Sequence, residues 1–281
     1  MEVRILALGD VVGKPGRTVL KEKLPAFIEE NNVDFVVANG ENVAQGSGIT
    51  PNLFKELIRA GVDCVTCGDH IWKRMEVKPL LESEPRLVRP LNYSEKAAGR
   101  GMTVLTSRNG VRIGIATVVG RIFMGPASCP FQAAENALRL MPPEAHIRII
   151  EIHAEATSEK VALAWKLDGV ASLVFGTHTH IPTADARVLP NGTAYITDLG
   201  MTGPYDSVIG RDKKNVIFKF ETGMHAPFSV ALGDVRMCGV LVTVDDTTGK
   251  ALAIERVEVG QDVEASSEVE APPASHQERK T

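Results

Sequence analysis

Six short apolar runs, each followed at once by glycine, asparagine or histidine, constrain the fold of this chain more than any other sequence feature. The runs cover residues 3–8, 35–38, 62–67, 111–119, 147–152 and 173–175. They are short, continuous and rich in branched side chains, which is typical of strands buried on both faces. The pattern therefore predicts a layered fold built around parallel or mixed sheets.

Amphipathic segments between these runs predict helices. Residues 50–61 begin with Thr50 and Pro51, a typical helix start, and end at Gly61. Residues 130–141 and 158–167 also have helical patterns, and so do residues 17–31, where Pro25 is expected to kink or divide the helix. Strands that alternate with helices predict an α/β fold, with mixed β-sheets or a two-sheet sandwich flanked by helices.

The last third of the chain differs from the rest. Residues 194–197 and 216–220 resemble strands, and residues 237–244 and 251–259 flank a turn-rich segment that predicts a hairpin. Residues 261–281 are rich in Glu, Ser and Pro and poor in large apolar side chains. We therefore predict one folded domain over residues 1–260 and a disordered tail over residues 261–281.

The composition argues against several classes of partner. The 281 residues carry a net charge of −4, so no basic excess follows nucleic-acid phosphates, and no stable nucleic-acid complex is expected. No apolar run approaches the ~20 residues that a membrane-spanning helix needs. The chain starts directly with a strand-like run, so no signal peptide is predicted.

The four cysteines do not suggest a disulfide framework. Cys64 and Cys67 form a C-x-x-C pair, which could be redox-active or bind zinc. Both lie in an apolar run, however, and small buried core thiols are the simpler interpretation. Free thiols fit a reducing compartment, so we predict a cytoplasmic location.

Residues of types that bind metals follow five of the six apolar runs. In open α/β sheets, the carboxyl ends of neighbouring strands form one site. Residues spread over 170 positions are therefore expected to converge, and they are Asp10, Glu41, Asp69, His153, His178 and His180.

Each of these residues alone has an ordinary explanation, since an acid after a strand is often a turn residue. His178 and His180 are a stronger signal, because residues i and i+2 at a strand end point to the same side. Three acids and three histidines exceed what one tetrahedral zinc needs, but they fit two Mn, Fe or Zn ions that share a carboxylate. Such a pair would lower the pKa of a bridging water and neutralise charge on a phosphate under attack.

Other motifs for phosphate chemistry fail. Residues 9–16 (GDVVGKPG) match neither the G-x-G-x-x-G fingerprint nor a P-loop, and Asp10 would repel a pyrophosphate there. No G-x-S-x-G nucleophile elbow occurs in the sequence. Metal-assisted hydrolysis of a phosphate ester is the chemistry that these residues favour.

Gly9-Asp10, Gly40-Glu41-Asn42, Gly68-Asp69-His70, His153 and the GTHTH of residues 176–180 resemble the motifs of calcineurin-like metallophosphoesterases. The YmdB-like bacterial subfamily is similar over longer segments, which are GDVVGKPGR (9–17), NGEN (39–42), RPLNY (89–93), HAEATSEK (153–160), GTHTHIPTAD (176–185) and TAYITDLGMTGPYDS (193–207). The similarity extends to about residue 259 and implies a calcineurin-like sandwich. Members are described as 2′,3′-cyclic-nucleotide 2′-phosphodiesterases.

The resemblance implies two divalent metal ions per chain, Fe or Mn, with Zn as the alternative. The ligands it implies are Asp10 and His180 for the first metal, Asp69, His153 and His178 for the second, Glu41 as the bridge, and Asn42 through its amide oxygen. It also implies that His70 is the general acid that protonates the leaving oxygen, since a ribose alkoxide is a poor leaving group.

The chain departs from the wider superfamily at three positions. Val12 replaces the histidine of the usual D-x-H, and Glu41 replaces the usual bridging aspartate, as in the YmdB-like subfamily. Asp69 replaces the asparagine of the usual Gly-Asn-His. An ionised Asp69 adds one negative charge, which predicts tighter metal binding and a less acidic bridging water.

Three further residues each have two interpretations. Arg89 and Arg121 follow strand-like runs and could contact phosphate, or they could form surface salt bridges. Glu155, near His153, could orient a metal ligand by hydrogen bonding, or it could cap the helix that follows.

Aromatic residues and the remaining histidines are also ambiguous. Trp72 and Tyr205 could stack on a base or simply pack, and residues 200–205 could be a loop that shapes the pocket or only a turn. His146 and His225 lie outside the motifs, so we interpret them as ordinary surface or packing residues.

On this resemblance we predict a binuclear metal-dependent phosphodiesterase that converts 2′,3′-cyclic nucleotides to 3′-nucleotides by attack of a metal-bound hydroxide. One alternative is a phosphodiesterase or phosphatase for another phosphoester. Another is a nucleotide-binding regulatory protein with slow turnover, although an intact His70 argues against it. An RNA-binding module lacks the basic and aromatic clusters it would need. The predicted partner is a small phosphodiester, and a homo-oligomer is left open.

Overall fold

The computed structural model describes residues 1–261, so the predicted disordered tail lies outside the described residues except for Gln261. The strands are β1 (Glu2–Leu8), β2 (Asp10–Val11), β3 (Phe35–Asn39), β4 (Cys64–Thr66), β5 (Leu87–Val88), β6 (Met102–Thr106), β7 (Arg112–Val119), β8 (Ile147–His153), β9 (Leu173–Thr177), β10 (Arg187–Val188), β11 (Ala194–Ile196), β12 (Met201–Pro204), β13 (Val235–Asp245) and β14 (Ala251–Gly260). The α-helices are α1 (Gly13–Glu30), α2 (Pro51–Ala60), α3 (Lys78–Ser83), α4 (Pro130–Leu140), α5 (Thr157–Lys166) and α6 (Lys213–Thr222).

The strands form two mixed sheets. The first has the order β2-β12-β13-β1-β3-β4-β5, with β14 paired to β13, and the second has the order β10-β11-β9-β8-β7-β6. Strands β1, β3, β4 and β5 are parallel to one another, and so are β7, β8, β9 and β11. Parallel strands end at a common edge of the sheet, so each sheet presents a row of strand ends.

The continuous apolar runs are explained by layers packed on both faces of each strand. In β1, Leu6 and Leu8 pack toward α1 and α2, whereas Ile5 and Ala7 pack between the two sheets. Helices α4 and α5 cover the outer face of the second sheet. The layers are therefore helix, sheet, sheet and helix, which confirms the predicted α/β sandwich of mixed sheets flanked by helices.

The predicted helices form close to their expected positions. Thr50 caps α2 by accepting a hydrogen bond of 3.3 Å from the backbone N–H of Leu53, and Gly61 ends this helix in the left-handed region at φ 114°. Helix α1 is not divided at Pro25, which is exposed on its solvent side.

The strand predicted at residues 216–220 is wrong, because these residues lie in helix α6. Asp212 accepts a hydrogen bond of 3.1 Å from the backbone N–H of Lys214, and Gly223 adopts φ 71° after the last turn. These caps stabilise a helix, whereas a short apolar run alone does not distinguish helix from strand. The hairpin predicted at residues 237–244 and 251–259 is confirmed as β13 and β14.

Two other sequence features are explained by burial in the fold. Residues 201–204, expected in a loop, form the buried strand β12, which pairs in parallel with β2. Cys64 and Cys67 are buried free thiols, and burial raises the pKa of both, as expected for core residues.

No helix within residues 1–261 is long and apolar enough to cross a membrane.

Candidate metal centre

The predicted metal ligands lie at the carboxyl ends of strands from both sheets. The first sheet supplies residues that follow β1, β3 and β4, and the second supplies residues that end or follow β8 and β9. These residues are Asp10, Glu41, Asn42, Asp69, His153, His178 and His180, with His70 beside them. Their side chains form two groups that contact each other.

The first group consists of Glu41, Asp69, His153 and His178. One ligand atom of each lies within 4.8 Å of the others. The Nε2 atom of His153 lies 3.0 Å from Asp69 Oδ1 and 3.3 Å from Glu41 Oε1. Two carboxylates and two imidazoles at this spacing are a donor set that suits a divalent transition metal.

The second group consists of Asp10, Asn42 and His180. The Nε2 atom of His180 lies 3.6 Å from Asp10 Oδ1 and 3.3 Å from Asn42 Nδ2. The same amide nitrogen lies 3.5 Å from Glu41 Oε1, so this group adjoins the first. The Asn42 amide oxygen contacts His70 Nδ1 at 2.8 Å. Metal ligation by Asn42 would need the opposite amide orientation, because only the oxygen has free lone pairs.

Each of the three histidines has a hydrogen-bond acceptor on the ring nitrogen that faces away from the acids. The acceptors are Thr177 Oγ1 for His153 Nδ1 at 2.9 Å, Glu155 Oε2 for His178 Nε2 at 3.2 Å, and the Ile209 carbonyl for His180 Nδ1 at 2.9 Å. These contacts place the ring proton on the outer nitrogen. The other nitrogen faces the acids, where a bound cation would take its lone pair in place of a proton, as in metal-binding histidines.

The donor set also fits a cation in its electrostatics. His153 Nε2 and His178 Nδ1 lie 3.0 Å apart, so a proton or a cation must lie between or beside these two nitrogens. Burial lowers the pKa of His153, but Glu41 and Asp69 outweigh burial and raise it well above its ordinary value. Burial and the charge of His153 lower the pKa of His178. The group therefore favours one positive charge at this point.

Asp10 and Asp69 are ionised at neutral pH. Burial raises the pKa of Asp10, but the contact with His180 outweighs burial and holds the pKa well below its usual range. Burial likewise raises the pKa of Asp69, and the hydrogen bond from His153 outweighs it. Ionised carboxylates are the form that binds a metal.

A buried ion pair, missed by the sequence analysis, fixes the loop that carries His178 and His180. Lys160 Nζ lies 2.7 Å from Asp198 Oδ2 and donates a hydrogen bond of 2.8 Å to the Thr177 carbonyl. The Thr179 hydroxyl donates to the same carboxylate at 2.7 Å. The available signal was that Asp198 follows the apolar run 194–197, as the metal-type residues follow theirs.

A second buried network, also missed, joins the two sheets behind the acids. Glu151 Oε1 accepts hydrogen bonds from Asn39 Nδ2 at 2.7 Å and from the Thr177 hydroxyl at 2.6 Å. The Asn39 side-chain oxygen accepts from the Glu41 backbone N–H at 3.0 Å. Thr177 thus connects the outer nitrogen of His153 to the chain that positions Glu41.

The backbone around the site is unusual at three positions. His178 and His180 adopt φ 95° and φ 63°, a left-handed region that is uncommon for residues other than glycine and is often found at functional sites. A Cβ atom on Gly68 would lie 2.1 Å from His153 Cδ2. Glycine is therefore required there for the close approach of the imidazole.

The two arginines proposed as phosphate contacts lie elsewhere. Arg89 is 5% exposed, and its guanidinium donates to the carbonyls of Pro90 at 2.7 Å and Ala97 at 3.1 Å. Arg121 is exposed and lines a different cavity. Arg211, missed by the sequence analysis, lines the cavity at the metal-type residues.

The other ambiguous residues are resolved by their contacts. Trp72 packs against the core, and the Tyr205 hydroxyl donates to the Met201 carbonyl at 2.9 Å, so both are packing residues. His146 and His225 are exposed at the surface, as expected. Glu155 contacts His178, which supports the orienting role rather than the capping role.

Comparisons of sequence and of structure identify several similar proteins. A protein 44% identical over 260 residues, covering 92% of this chain and 98% of its own length, is the 2′,3′-cyclic-nucleotide 2′-phosphodiesterase of Bacillus subtilis. A hypothetical protein from Thermus thermophilus has a crystal structure that matches with TM-score 0.87 and 42% identity, covering 92% of this chain and 100% of that chain.

A crystal structure described as a novel phosphatase of Mycoplasma pneumoniae also matches with TM-score 0.87, at 33% identity over 93% of this chain and 95% of that chain. The family model described as YmdB-like protein matches residues 6–257. This span contains every residue of both ligand groups and confirms the resemblance drawn from the motifs. By its sequence and its fold, the chain belongs to the YmdB-like protein family.

Proposed function

We propose that this protein is a metal-dependent phosphodiesterase that hydrolyses 2′,3′-cyclic nucleotides to 3′-nucleotides. The observation that carries the proposal is the cluster of Glu41, Asp69, His153 and His178, whose donor atoms lie within 4.8 Å of one another. The name of the Bacillus subtilis relative supports this substrate class. His70 lies partly exposed beside the cluster and could donate a proton to the leaving group.

The residues would hold two divalent cations, Fe or Mn, with Zn as the alternative. Glu41, Asp69, His153 and His178 would bind one, and Asp10 and His180 the other, with Glu41 between the groups and the Asn42 amide turned to present its oxygen. When bound, such cations supply Lewis acidity, which activates a water molecule and offsets the charge of the phosphate oxygens.

The contacts of His70 support its proposed role as the general acid. Its Nδ1 lies 3.3 Å from Glu41 Oε1, and its backbone N–H donates to Glu41 Oε2 at 3.1 Å, so Glu41 holds both the ring and its backbone. The ring lines the cavity and its side chain is 30% exposed. As a water molecule loses one proton to solvent and its oxygen bonds to phosphorus, the bond from phosphorus to the 2′-oxygen breaks, and protonated His70 would give its Nε2 proton to that 2′-oxygen.

Several finer features belong to the same proposal. Residues 1–260 would act as one metallophosphoesterase domain in the cytoplasm, and a small phosphodiester would be its partner. Asp69 would raise the affinity for metal above that of an asparagine at this position, because its carboxylate brings a full negative charge. Assembly into a homo-oligomer would be compatible with this activity.

A phosphatase for another phosphoester is the second candidate function. The structure described as a phosphatase from Mycoplasma pneumoniae favours it. Both activities would use the same ligands, so the product identifies the activity. A phosphodiesterase releases 3′-AMP from 2′,3′-cyclic AMP, whereas an enzyme with phosphatase activity continues to adenosine.

The test is Mn²⁺-dependent hydrolysis of 2′,3′-cyclic AMP by the full chain, with the product identified by chromatography. We expect accumulation of 3′-AMP and loss of activity on chelation. Absence of turnover in protein shown to hold about two metals per chain would overturn the proposed substrate and move the function to another phosphoester or to regulation.

A further inference from the structure

The cavity at the ligand groups has two chemically different sets of lining residues. It encloses about 380 Å³, which lies within the range of small-molecule sites. The polar set includes Glu41, His70, His178 and His180. The apolar set includes Ile209, Phe220 and Phe228, which we define as the apolar wall. A ligand that fills this cavity is therefore expected to carry both a charged group and an apolar surface.

The side chains of the apolar wall are exposed to solvent, although apolar side chains of this size are usually buried. Ile209 is 48% exposed, Phe220 is 78% exposed and Phe228 is 39% exposed. Helix α6, which carries Phe220, buries only Val216 in the protein. Core packing thus does not account for the aromatic side chains, and clustered exposed apolar residues of this kind mark binding sites.

Hydrogen bonds tie the segment that carries the wall to the loops that carry the metal ligands. The Ile209 carbonyl accepts the His180 Nδ1 proton at 2.9 Å. Arg211 donates to the Gln45 carbonyl at 3.0 Å and also to the Gly46 carbonyl, in the loop that follows Glu41. Ile209 adopts φ 44°, a left-handed conformation that is costly for a β-branched residue. Ile209, the first residue of the apolar wall, is therefore held at the site.

The two aromatic rings differ in what covers them. Lys219 Nζ lies 4.9 Å from the centre of the Phe228 ring and covers one face of it. Phe220, in contrast, makes no aromatic or cation–π ring contact with any residue from 1 to 261. Phe220 thus has a ring available for a planar ligand group.

We propose that the apolar wall binds the base of the substrate, so that the enzyme selects cyclic phosphodiesters that carry a nucleobase. The inference rests on the proposed phosphodiesterase function, since it assigns the phosphate to the polar lining residues of the cavity. A nucleobase is planar and has two apolar faces, which match the free Phe220 ring. Removal of one aromatic stacking partner typically lowers binding by about 5- to 150-fold.

The experiment compares Phe220→Ala with Phe218→Ala in the full, Mn²⁺-loaded protein. Phe218 lies on the same helix and is 41% exposed, but it does not line the cavity, so it is the matched control. The substrates are 2′,3′-cyclic AMP and the five-membered cyclic phosphodiester of propane-1,2-diol, which has no base. For Phe220→Ala we expect kcat/KM for 2′,3′-cyclic AMP to fall by about 5- to 150-fold, mainly because KM rises. The kcat/KM for the base-free diester should stay unchanged.

Equal loss of kcat/KM on both substrates, or equal kcat/KM of the wild type for both, would overturn the proposal while leaving the phosphodiesterase function in place.

If the wild type hydrolyses neither substrate, the proposed function fails, and calorimetric binding of 3′-AMP and of inorganic phosphate decides the inference. It stands if Phe220→Ala weakens 3′-AMP binding and leaves phosphate binding unchanged. A change in sedimentation for Phe220→Ala, with 3′-AMP binding unchanged, would instead assign the wall to contact with a second copy of the chain.

Discussion

The two ligand groups and the apolar wall meet at one cavity but differ in how they are supported. Asp10, Glu41 and His153 are at most 1% exposed, and each contacts at least two polar partners at the ends of sheet strands. Phe220 is 78% exposed on a helix that has a single buried residue. The comparison indicates that the chemistry is fixed by the rigid core, whereas substrate choice is assigned to an element with little packing of its own.

This difference has an energetic origin. Buried charges are costly unless they are paired, so the cluster must be positioned by a complete set of neighbours. An exposed aromatic side chain on a surface helix needs few neighbours, and its replacement disturbs the fold little. Changes in the cluster should therefore affect metal binding and rate, and changes in the wall should affect substrate affinity.

Loss of a cluster histidine should have the largest effect. For His178→Ala we expect kcat/KM on 2′,3′-cyclic AMP to fall on the order of 10³-fold, because one metal loses a ligand. Metal content by mass spectrometry should fall in parallel. His225→Ala, which removes an exposed histidine outside the site, is the control and should change neither quantity. Full activity of His178→Ala would contradict the ligand assignment.

The general acid should be separable from the metal ligands. For His70→Asn we expect kcat to fall by about 10²- to 10⁴-fold with metal content unchanged. The loss should be much smaller on bis(p-nitrophenyl) phosphate, since nitrophenolate leaves without a proton. An equal loss on both substrates would show that His70 is not the proton donor.

The buried ion pair behind the cluster should be the main test of stability. Lys160→Met leaves the Asp198 carboxylate buried without its cation, and we expect a loss of about 3–5 kcal/mol in the free energy of unfolding. Urea denaturation measures it. The control is Lys166→Met, because Lys166 forms a salt bridge with Glu135 in which both side chains are more than 40% exposed. A loss of about 0–1 kcal/mol is expected for that control, and equal losses would contradict the role of Lys160.

Removal of Glu155, the hydrogen-bond partner of the outer nitrogen of His178, should have a smaller effect. Glu155→Ala removes the acceptor that lies 3.2 Å from His178 Nε2, and we expect metal affinity to fall by about 10- to 100-fold. Competition with a metal-binding dye measures this affinity. Glu144→Ala, an exposed acid before the opposite end of β8, is the control. Unchanged affinity in Glu155→Ala would show that the contact does not orient the ligand.

The positions of the strands and of the metal-type residues followed from the sequence because both depend on local pattern. Apolar runs predict buried strands, and the first polar residues after parallel strands meet at one edge of a sheet. Asp10, Asp69 and His153 could be selected in this way without knowledge of how the strands are ordered.

Local pattern was not sufficient at residues 216–220, where an apolar run forms helix α6. The caps at Asp212 and Gly223 favour the helix, and the surface position of its apolar side chains is decided by the loops that connect it to the sandwich. For this reason the apolar wall could not be predicted.

The sequence by itself determined the α/β sandwich and the residues that gather at its strand ends, because the periodicity of apolar side chains is a local property. Only the tertiary structure decided which partners hold those residues, such as Thr177 for His153, Ile209 for His180 and Glu155 for His178. These contacts join segments that the chain brings together after long separations. Their formation depends on the packing of the two sheets and of the segment that carries Ile209, which no local pattern encodes.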